Sequence, residues 1–278
     1  METVKNIAQK VTGEAPTGAT NAADPSGPNA KSGQFPQTGD FAVESQVDRA
    51  VGVQADMEVK PEGATVQEGH DSFDHYKAAD KLVGKKAIVT GGDSGIGRAA
   101  AVMFAMEGAD VAIVYLPEEQ VDADKTKALI TATGRQCILI PQDIRDEAGC
   151  NRVIETVVQA FGRIDILVNN ASVMYSVEDI TDITTEQFDR TIKTNIYGTF
   201  FLTRAAVPHI PKGGSIIVTA SQVAYAGPPM LVDYSMTKGA QVAMVRCLSN
   251  QLLSKGIRVN AVCPGPVWTP LQPAAMNE

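Results

Sequence analysis

The stretch KKAIVTGGDSGIGR, residues 85–98, decides the fold of this chain. A short run of apolar and β-branched residues, typical of a buried strand, leads into a glycine-rich turn and then into the helical pattern RAAAVMFAMEG. The free N–H groups and the positive dipole end at the start of such a helix can bind a pyrophosphate. We therefore predict a dinucleotide-binding loop made of Gly91, Asp93, Ser94, Gly95, Ile96 and Gly97.

The alternation of short strands and longer helices continues along the sequence. Strands are predicted at residues 86–90, 111–115, 137–141, 164–168, 215–219 and 258–262. Helices with apolar residues at three- and four-residue spacing are predicted at residues 97–107, 123–133, 147–161, 185–210 and 232–253. Crossovers of this length join parallel strands, so the predicted fold class is α/β, a doubly wound, Rossmann-like parallel sheet of six strands. Its ligands are expected beyond the carboxyl ends of the strands.

The first 75 residues have a different composition. They are rich in Gly, Pro, Ala, Thr and acidic residues and carry few aromatic anchors, so burial cannot offset their ordering entropy. We predict a mostly disordered tail over residues 1–75, with segments such as 41–50 as candidates for contact with the folded body. Residues 76–278 form the predicted dinucleotide-binding domain. Removal of the tail is expected to leave enzyme kinetics almost unchanged.

Composition excludes several function classes. A formal charge of -8 at pH 7 gives no attraction for nucleic acid or anionic lipid, and no apolar run is long enough for a membrane span or a secretory signal. The predicted location is the cytoplasm. The cysteines and histidines show no metal-ligand spacing, so we expect reduced, buried thiols and no metal. These residues are Cys137, Cys150, Cys247, Cys263, His70, His75 and His209.

Tyr234 and Lys238 are candidates for proton chemistry. They lie four residues apart in a predicted helix and therefore share one face, a spacing that is also common on solvated helix faces. Ser221, at the end of the preceding strand, favours the catalytic interpretation because it lies at the edge where a dinucleotide would bind. A lysine cation about 4 Å away is worth about 4 kcal/mol at an effective dielectric of about 20. We therefore expect the pKa of Tyr234 to fall from about 10 to near 7.

These motifs together resemble the short-chain dehydrogenase/reductase family. The loop beginning at Thr90 is similar to its T-G-x-x-x-G-x-G motif, and Ser221, Tyr234 and Lys238 resemble its catalytic set. The resemblance implies that Asn195 is a fourth catalytic residue, which holds a water in a proton relay. Considered alone, this residue would be a polar group in helix packing. The resemblance also assigns to cofactor binding Asp143, Ile144, Asn170, Ala171, Pro264, Gly265, Val267 and Thr269.

The sequence leaves the cofactor open between NAD and NADP. Tyr115 ends the second strand of the predicted sheet, and Glu118 follows the glycine loop by about 20 residues, where an acid can hold the ribose of NAD. Glu118 and Asp93 together would disfavour binding of the 2′-phosphate of NADP. Arg98 is the nearby cation that could serve NADP, although a solvated helix-start arginine is the alternative interpretation.

The chain also departs from the family pattern. Ser172 replaces the glycine that usually follows N-N-A, and the sequence ends at Glu278, where the family continues into a lid, another helix and a seventh strand. We therefore expect a C-terminally truncated domain with lower stability and turnover.

Within the family, the chain most resembles the tailed subgroup of general-stress oxidoreductases and glucose/ribitol dehydrogenase homologues. The features that carry this resemblance are the tail and the motifs T-G-G-D-S-G-I-G-R and Y-L-P-E-E. This resemblance implies an oxidoreductase acting on a sugar, polyol or aldehyde, and a homodimer formed through the two long helices at residues 185–210 and 232–253. One alternative is a protein that binds the cofactor but is catalytically silent. Another is a stress-related solvating protein that acts through its tail.

Overall fold

The computed structural model describes residues 46, 52–61, 63–68 and 72–275. Within them, the central feature is the predicted parallel sheet of six strands, in the spatial order β5-β4-β3-β6-β7-β8. A separate antiparallel hairpin, β1-β2, precedes it. The strands are β1 (Thr65–Glu68), β2 (Ser72–His75), β3 (Lys86–Thr90), β4 (Asp110–Tyr115), β5 (Cys137–Pro141), β6 (Ile166–Asn169), β7 (Ser215–Thr219) and β8 (Arg258–Val262).

Helices cover both faces of the sheet, because alternate strand residues pack into different apolar clusters. Ile88 belongs to one buried cluster, and its neighbours Ala87 and Val89 belong to the other. The helices are α1 (Gly95–Met106), α2 (Gln120–Ala132), α3 (Glu147–Phe161), α4 (Thr185–Ile192), α5 (Thr199–Ala206), α6 (Val223–Ala226), α7 (Val232–Gln251) and α8 (Leu271–Ala275). None of the helices in the described ranges has the length and apolarity of a membrane-spanning segment.

The strand order determines where along the sheet a ligand-binding crevice forms. The chain reverses its winding direction between β3 and β6, so the segments that follow these two strands face each other across a crevice. The glycine-rich loop follows β3, and the Asn-Asn-Ala segment follows β6. The predicted binding edge is therefore formed by the two motifs that the sequence analysis singled out.

The helix predicted at residues 185–210 is not continuous. Between α4 and α5 lies a π-helical turn, Lys193–Gly198, and one 3-10 turn, Val207–His209, follows α5. Pro208 lacks the N–H that would continue the helix. The π-turn has no comparable signal in the sequence, since it depends on packing. Gly198 lies against Ile144, whose Cδ1 would be 2.6 Å from an added Cβ.

The described part of the predicted tail is folded. Residues 54–56 form a 3-10 turn, and the hairpin follows at residues 65–75. Beyond it, Glu107 accepts hydrogen bonds from the N–H groups of Ala79 and Lys81 at 3.1 and 2.7 Å. The structure therefore differs from the expected disorder at residues 52–61, 63–68 and 72–75. Bonds to Asp122, Gly95 and Trp268 hold the first of these segments, and pairing of β1 with β2 orders the other two. Residues 1–45 and 47–51, with most of the candidate segment 41–50, lie outside the described residues.

The cysteines form no disulfide among the described residues. Cys150 is buried and Cys137 is partly buried, but Cys247 and Cys263 are exposed. The expectation of buried thiols is therefore wrong for these two. Cys263 directly follows β8, which lies at one edge of the sheet of described strands.

Candidate active site

The glycine loop forms a cradle in which side chains would not fit. Gly91 and Gly95 have φ angles of +60° and +49°, which disfavour other residues. A Cβ at Gly97 would lie 1.9 Å from the carbonyl oxygen of Gly91, and one at Gly95 would lie 2.9 Å from Cβ of Thr269. The loop is therefore closed on itself and packed against the segment after β8. Its remaining open side faces the crevice.

Hydrogen bonds fix the loop to the neighbouring strand end. The Thr90 hydroxyl accepts from the N–H groups of Asn170 and Ala171, both at 2.9 Å. The side-chain amide of Asn170 donates to the Thr90 carbonyl at 3.0 Å. These contacts hold the two strand ends at a fixed separation, so the crevice is preformed.

A cleft of about 570 Å³ lies along this edge. All the predicted site residues line it except Gly97 and Asn195, which lie behind its surface. The cofactor candidates in its lining are Gly91, Asp93, Ser94, Gly95, Ile96, Tyr115, Glu118, Asp143, Ile144, Asn170, Ala171, Pro264, Gly265, Val267 and Thr269, and the catalytic candidates are Ser221, Tyr234 and Lys238. Sequence reasoning missed other lining residues, among them Gly52, Glu119, Arg145, Ser172 and Met174.

Tyr234 and Lys238 project from one face of α7, as the spacing predicts. Nζ of Lys238 lies 5.1 Å from the centroid of the Tyr234 ring and donates to the Thr219 carbonyl at 2.8 Å. Ser221 lines the same cleft, and its hydroxyl acts to lower the pKa of the tyrosine. The three side chains therefore converge at the carboxyl end of β7.

The electrostatics of this group differ from the expectation. Burial raises the pKa of Tyr234 to about 12, while hydrogen bonds from Ser221 and Ser172 act in the opposite direction. Burial also lowers the pKa of the Lys238 ammonium to about 7. With the protein groups alone, the pKa of Tyr234 does not fall to near 7, so that prediction is wrong. The spacing of the Tyr–Lys pair carries no information on desolvation. Lys238 is fully buried and lies over the aromatic ring.

Asn195 lies in the π-turn and is fully buried. Its Oδ1 accepts from the Ser172 hydroxyl at 3.0 Å and from the Val173 N–H at 2.9 Å. Its Nδ2 donates to the Val173 carbonyl at 2.9 Å and to the Thr237 hydroxyl at 3.0 Å. Protein groups therefore occupy both ends of the amide. Ser172, which sequence reasoning had treated only as a crowded glycine position, bonds to this amide and lines the cleft together with Tyr234.

Two buried carboxyl groups lie at the end of the cleft near β4. Asp93 is 1% exposed, and neither of its carboxylate oxygens has a hydrogen-bond partner among the described residues. Burial raises the pKa of Asp93 to about 6, and burial together with the charge of Asp93 raises the pKa of Glu119 to about 8. Glu118, the predicted ribose ligand, is exposed at the rim. The carboxyl group closest to the protein interior on this segment is thus that of Glu119.

Arg98 is not a solvated helix-start residue. It is 7% exposed, its Nη2 donates to Oδ1 of Asp122 at 2.8 Å, and its Nε donates to the Asp93 carbonyl at 2.7 Å. Both interpretations considered for this arginine are therefore corrected, because its guanidinium is committed to buried partners. It holds the outer end of the glycine loop.

Comparison with known proteins shows one consistent family. The family model described as "Enoyl-(Acyl carrier protein) reductase" matches residues 91–278. The uncharacterized oxidoreductase YhxC of Bacillus subtilis is 56% identical over 73% of this chain and 71% of its own length. NADPH-dependent aldehyde reductase 1 of Arabidopsis thaliana is 49% identical over 74% of both chains. Glucose and ribitol dehydrogenase of Daucus carota is 48% identical over 73% of this chain and 72% of its own.

Solved structures agree with these sequence relatives. A short-chain dehydrogenase from Burkholderia cenocepacia J2315, in complex with NADP, has a TM-score of 0.66 and 36% identity over 69% of this chain and 78% of its own. A short-chain dehydrogenase from Mycobacterium paratuberculosis, bound to NAD, has a TM-score of 0.66 and 35% identity over 69% of this chain and 76% of its own.

Proposed function

Because this chain belongs to the short-chain dehydrogenase/reductase family, we propose that it interconverts an alcohol and a carbonyl compound by hydride transfer with NAD or NADP. One observation carries the proposal. Tyr234, Ser221 and Lys238 line the same cleft as the glycine loop. A proton donor beside a dinucleotide cradle supplies the two requirements of hydride transfer to a carbonyl.

A nicotinamide dinucleotide fits the residues of this cleft. The glycine positions leave backbone N–H groups accessible at the start of α1, where Ser94 and Ile96 would hold the pyrophosphate. Asp93 also lines the cleft, where its buried carboxyl group would lie near the ribose. When bound, the cofactor donates or accepts the hydride, and its oxidised ring carries a positive charge.

The protein's own groups would handle the proton. Since burial raises the pKa of Tyr234 to about 12, its hydroxyl is protonated at neutral pH and can donate to a carbonyl oxygen during reduction. Ser221 would hold that oxygen and stabilise the charge that develops on it. In the oxidation direction Tyr234 must accept the proton, which requires positive charge nearby. Lys238, when protonated, supplies part of that charge.

Charge at the adenosine end supports NAD rather than NADP. With a pKa of about 6, Asp93 is mostly ionised at pH 7, whereas Glu119, with a pKa of about 8, is mostly neutral. Arg98 is committed to Asp122. Arg145, which also lines the cleft, donates to Asp143 at 2.7 Å. A 2′-phosphate would therefore meet the carboxylate of Asp93, while Arg98 and Arg145 are committed to other partners. We propose at least tenfold higher kcat/KM with the NAD couple.

The wall beside Tyr234 supports a choice among the substrate classes that the relatives' names suggest. Tyr234 packs with Met174, and partly buried Val223, Leu231 and Leu271 adjoin them. This apolar wall offers few hydrogen bonds to a sugar. Of the classes that the sequence suggests, we propose an aldehyde with a short apolar group in preference to a sugar or polyol.

We also propose a homodimer through α4, α5 and α7. Phe188, Tyr197 and Phe200 are 39, 45 and 47% exposed, and Met236 on α7 is 54% exposed. Large apolar side chains exposed together on neighbouring helices are typical of an interface. Sedimentation velocity would show a dimer, and a charged residue in place of Phe200 should shift the protein to monomer.

The decisive experiment is titration with NADH and NADPH followed by a substrate panel of aldehydes, polyols and sugars. Tyr234→Phe should lower kcat at least 100-fold and leave the cofactor Kd unchanged, because only the proton donor is lost. Tyr225→Phe is the matched control, since Tyr225 is 65% exposed on α6. Tight cofactor binding without turnover on any substrate would instead support the catalytically silent alternative.

A further inference from the structure

We propose that an N-terminal segment, here called the strap and defined as Gln46 and residues 52–60, is part of the dinucleotide site and positions its glycine loop through Gln54. The inference rests on the proposed function, since it concerns the same cleft. It goes beyond that function because it gives a role to residues that the glycine, catalytic and Asn-Asn-Ala motifs do not include.

The strap makes direct contact with the loop. Oε1 of Gln54 accepts a hydrogen bond from the Gly95 N–H at 2.8 Å, and Gln54 is only 6% exposed. Gly95 is the first residue of α1 and packs on its other side against Thr269. The carboxamide therefore satisfies one of the free N–H groups at the helix start and fixes the orientation of the peptide next to it.

A second connection reaches the other end of the loop. Oδ2 of Asp122 accepts from the N–H groups of Gln54 and Ala55 at 2.7 and 3.3 Å. Oδ1 of the same carboxylate accepts from Arg98, which in turn donates to the Asp93 carbonyl. Asp122 is 1% exposed, so these are charge-assisted bonds in a dry environment. The strap is thus linked to both Gly95 and Asp93.

The strap is also anchored to the opposite wall of the cleft. A Cβ at Gly52 would lie 2.0 Å from the Pro270 carbonyl oxygen, and Gly52 itself lines the cleft. The Gln46 N–H donates to the Pro273 carbonyl, and Nε1 of Trp268 donates to the Val59 carbonyl, both at 2.9 Å. The strap therefore bridges the start of α1 and the segment after β8, the two parts that enclose the predicted pyrophosphate position.

This arrangement predicts reciprocal coupling. If the strap orders the loop for the cofactor, the cofactor must stabilise the strap by the same factor. It also reverses the sequence expectation that tail removal leaves kinetics unchanged. Gln54 acts through Gly95 and is a positioning residue.

The test compares two matched variants of the full chain, Gln54→Met and Gln46→Met. Each replaces a glutamine of the strap by a residue of similar size. Among the described residues, the side chain of Gln46 bonds to Val53 alone: it accepts from the Val53 N–H at 2.7 Å and donates to the Val53 carbonyl at 3.3 Å, with no bond to the loop. In NADH and NADPH titrations, Gln54→Met should raise the Kd about five- to tenfold, the effect of one lost hydrogen bond, and Gln46→Met less than about twofold.

Cleavage after Glu58 by a glutamyl endopeptidase supplies an independent readout. Glu58 belongs to the strap, is exposed and is followed by Val59, and the ammonium of the nearby Lys60 donates to the Gln54 and Ala55 carbonyls at 3.0 and 2.7 Å. The preferred dinucleotide should slow cleavage at this site in the unmodified protein and in Gln46→Met. This protection should be lost in Gln54→Met, because the coupling runs through that side chain.

The inference would be overturned if the two variants behaved alike, that is, if both bound the dinucleotide more weakly or both bound it as the unmodified protein does. If the unmodified protein binds neither NADH nor NADPH, the proposed function fails instead. Should Gln54→Met not fold, Gln54→Glu tests the same contact, because it keeps the acceptor but adds charge beside the pyrophosphate. Its affinity should be low at low salt and recover at high salt, whereas Gln46→Glu should show no such dependence.

Discussion

The hydroxyl of Ser172 donates a hydrogen bond to Oδ1 of Asn195 at 3.0 Å, and Ser172 lines the same cleft as Tyr234, whose pKa it acts to lower. We therefore expect a protein hydroxyl to connect the buried amide to the proposed proton donor. The resemblance alone implied a water held by the asparagine. In this chain, a side chain at the position of the family's glycine would provide the link.

Ser172→Ala should therefore lower kcat about tenfold without changing the Kd for NADH, because the tyrosine loses a hydrogen-bonded partner for its proton. Steady-state kinetics and fluorescence titration measure the two quantities. Ser235→Ala is the control, since the Ser235 hydroxyl is buried on α7 and has no hydrogen-bond partner among the described residues. Normal kcat in Ser172→Ala would show that this hydroxyl only fills space.

The buried carboxyl of Asp93 predicts a distinct pH dependence of stability. Its pKa is raised from 3.8 to about 6 in the folded protein, so its contribution is fully present below pH 3.8 and is lost as the pH rises through 6. The free energy of unfolding should fall in this window by up to about 1.4 kcal/mol per pH unit from this group. Asp93→Asn should lack that component, as judged by urea titrations from pH 4 to 7.

The same variant tests the proposed cofactor preference. Asp93→Asn retains the size of the side chain but removes the charge beside the expected ribose. We expect the ratio of NADPH to NADH affinity to rise at least fivefold. Glu118→Gln serves as the comparison, because Glu118 is exposed and should contribute less. An unchanged ratio in Asp93→Asn would place the discriminating group elsewhere.

Much of the fold could be predicted from local patterns. The strands at residues 86–90, 137–141, 215–219 and 258–262 have the predicted bounds, since each is a compact apolar run between turn signals. The same local information placed α3, where Asp146 caps the first turn and Gly162, with a φ of +80°, ends the last. Periodicity and capping act over a few residues and are visible in one sequence.

The rest depends on contacts between distant segments. Ser172 and Asn195 meet only because the sheet brings the end of β6 beside the π-turn. Gln54 reaches Asp122 and Gly95 from a segment whose composition predicts disorder. The pKa of Tyr234 is governed by burial, which its spacing from Lys238 does not encode. Sequence patterns thus located the glycine loop and the catalytic candidates of the cleft but not the electrostatics or the strap.

Lys238 should destabilise the folded protein while supporting catalysis. It is fully buried, and burial lowers its pKa from 10.5 to about 7, so the unfolded chain binds more protons between those values. Stability should therefore rise with pH from about 7 to 10, by up to about 1.4 kcal/mol per unit from this group. Lys238→Met should abolish turnover, remove this slope and raise the melting temperature at pH 7. A lower melting temperature would mean that the ammonium is stabilising.

The buried pair Arg98–Asp122 should be sensitive to the loss of one partner. The two side chains are 8 and 1% exposed, so Arg98→Met leaves an uncompensated carboxylate in a dry site and should destabilise by about 3–5 kcal/mol. Lys193→Met, which breaks the exposed pair with Asp189, should change stability by less than about 0.5 kcal/mol. The double variant Arg98→Met/Asp122→Leu should recover much of the lost stability but not cofactor affinity, because the bonds to the strap and to Asp93 are absent. Recovery of both would mean that this pair contributes only to folding.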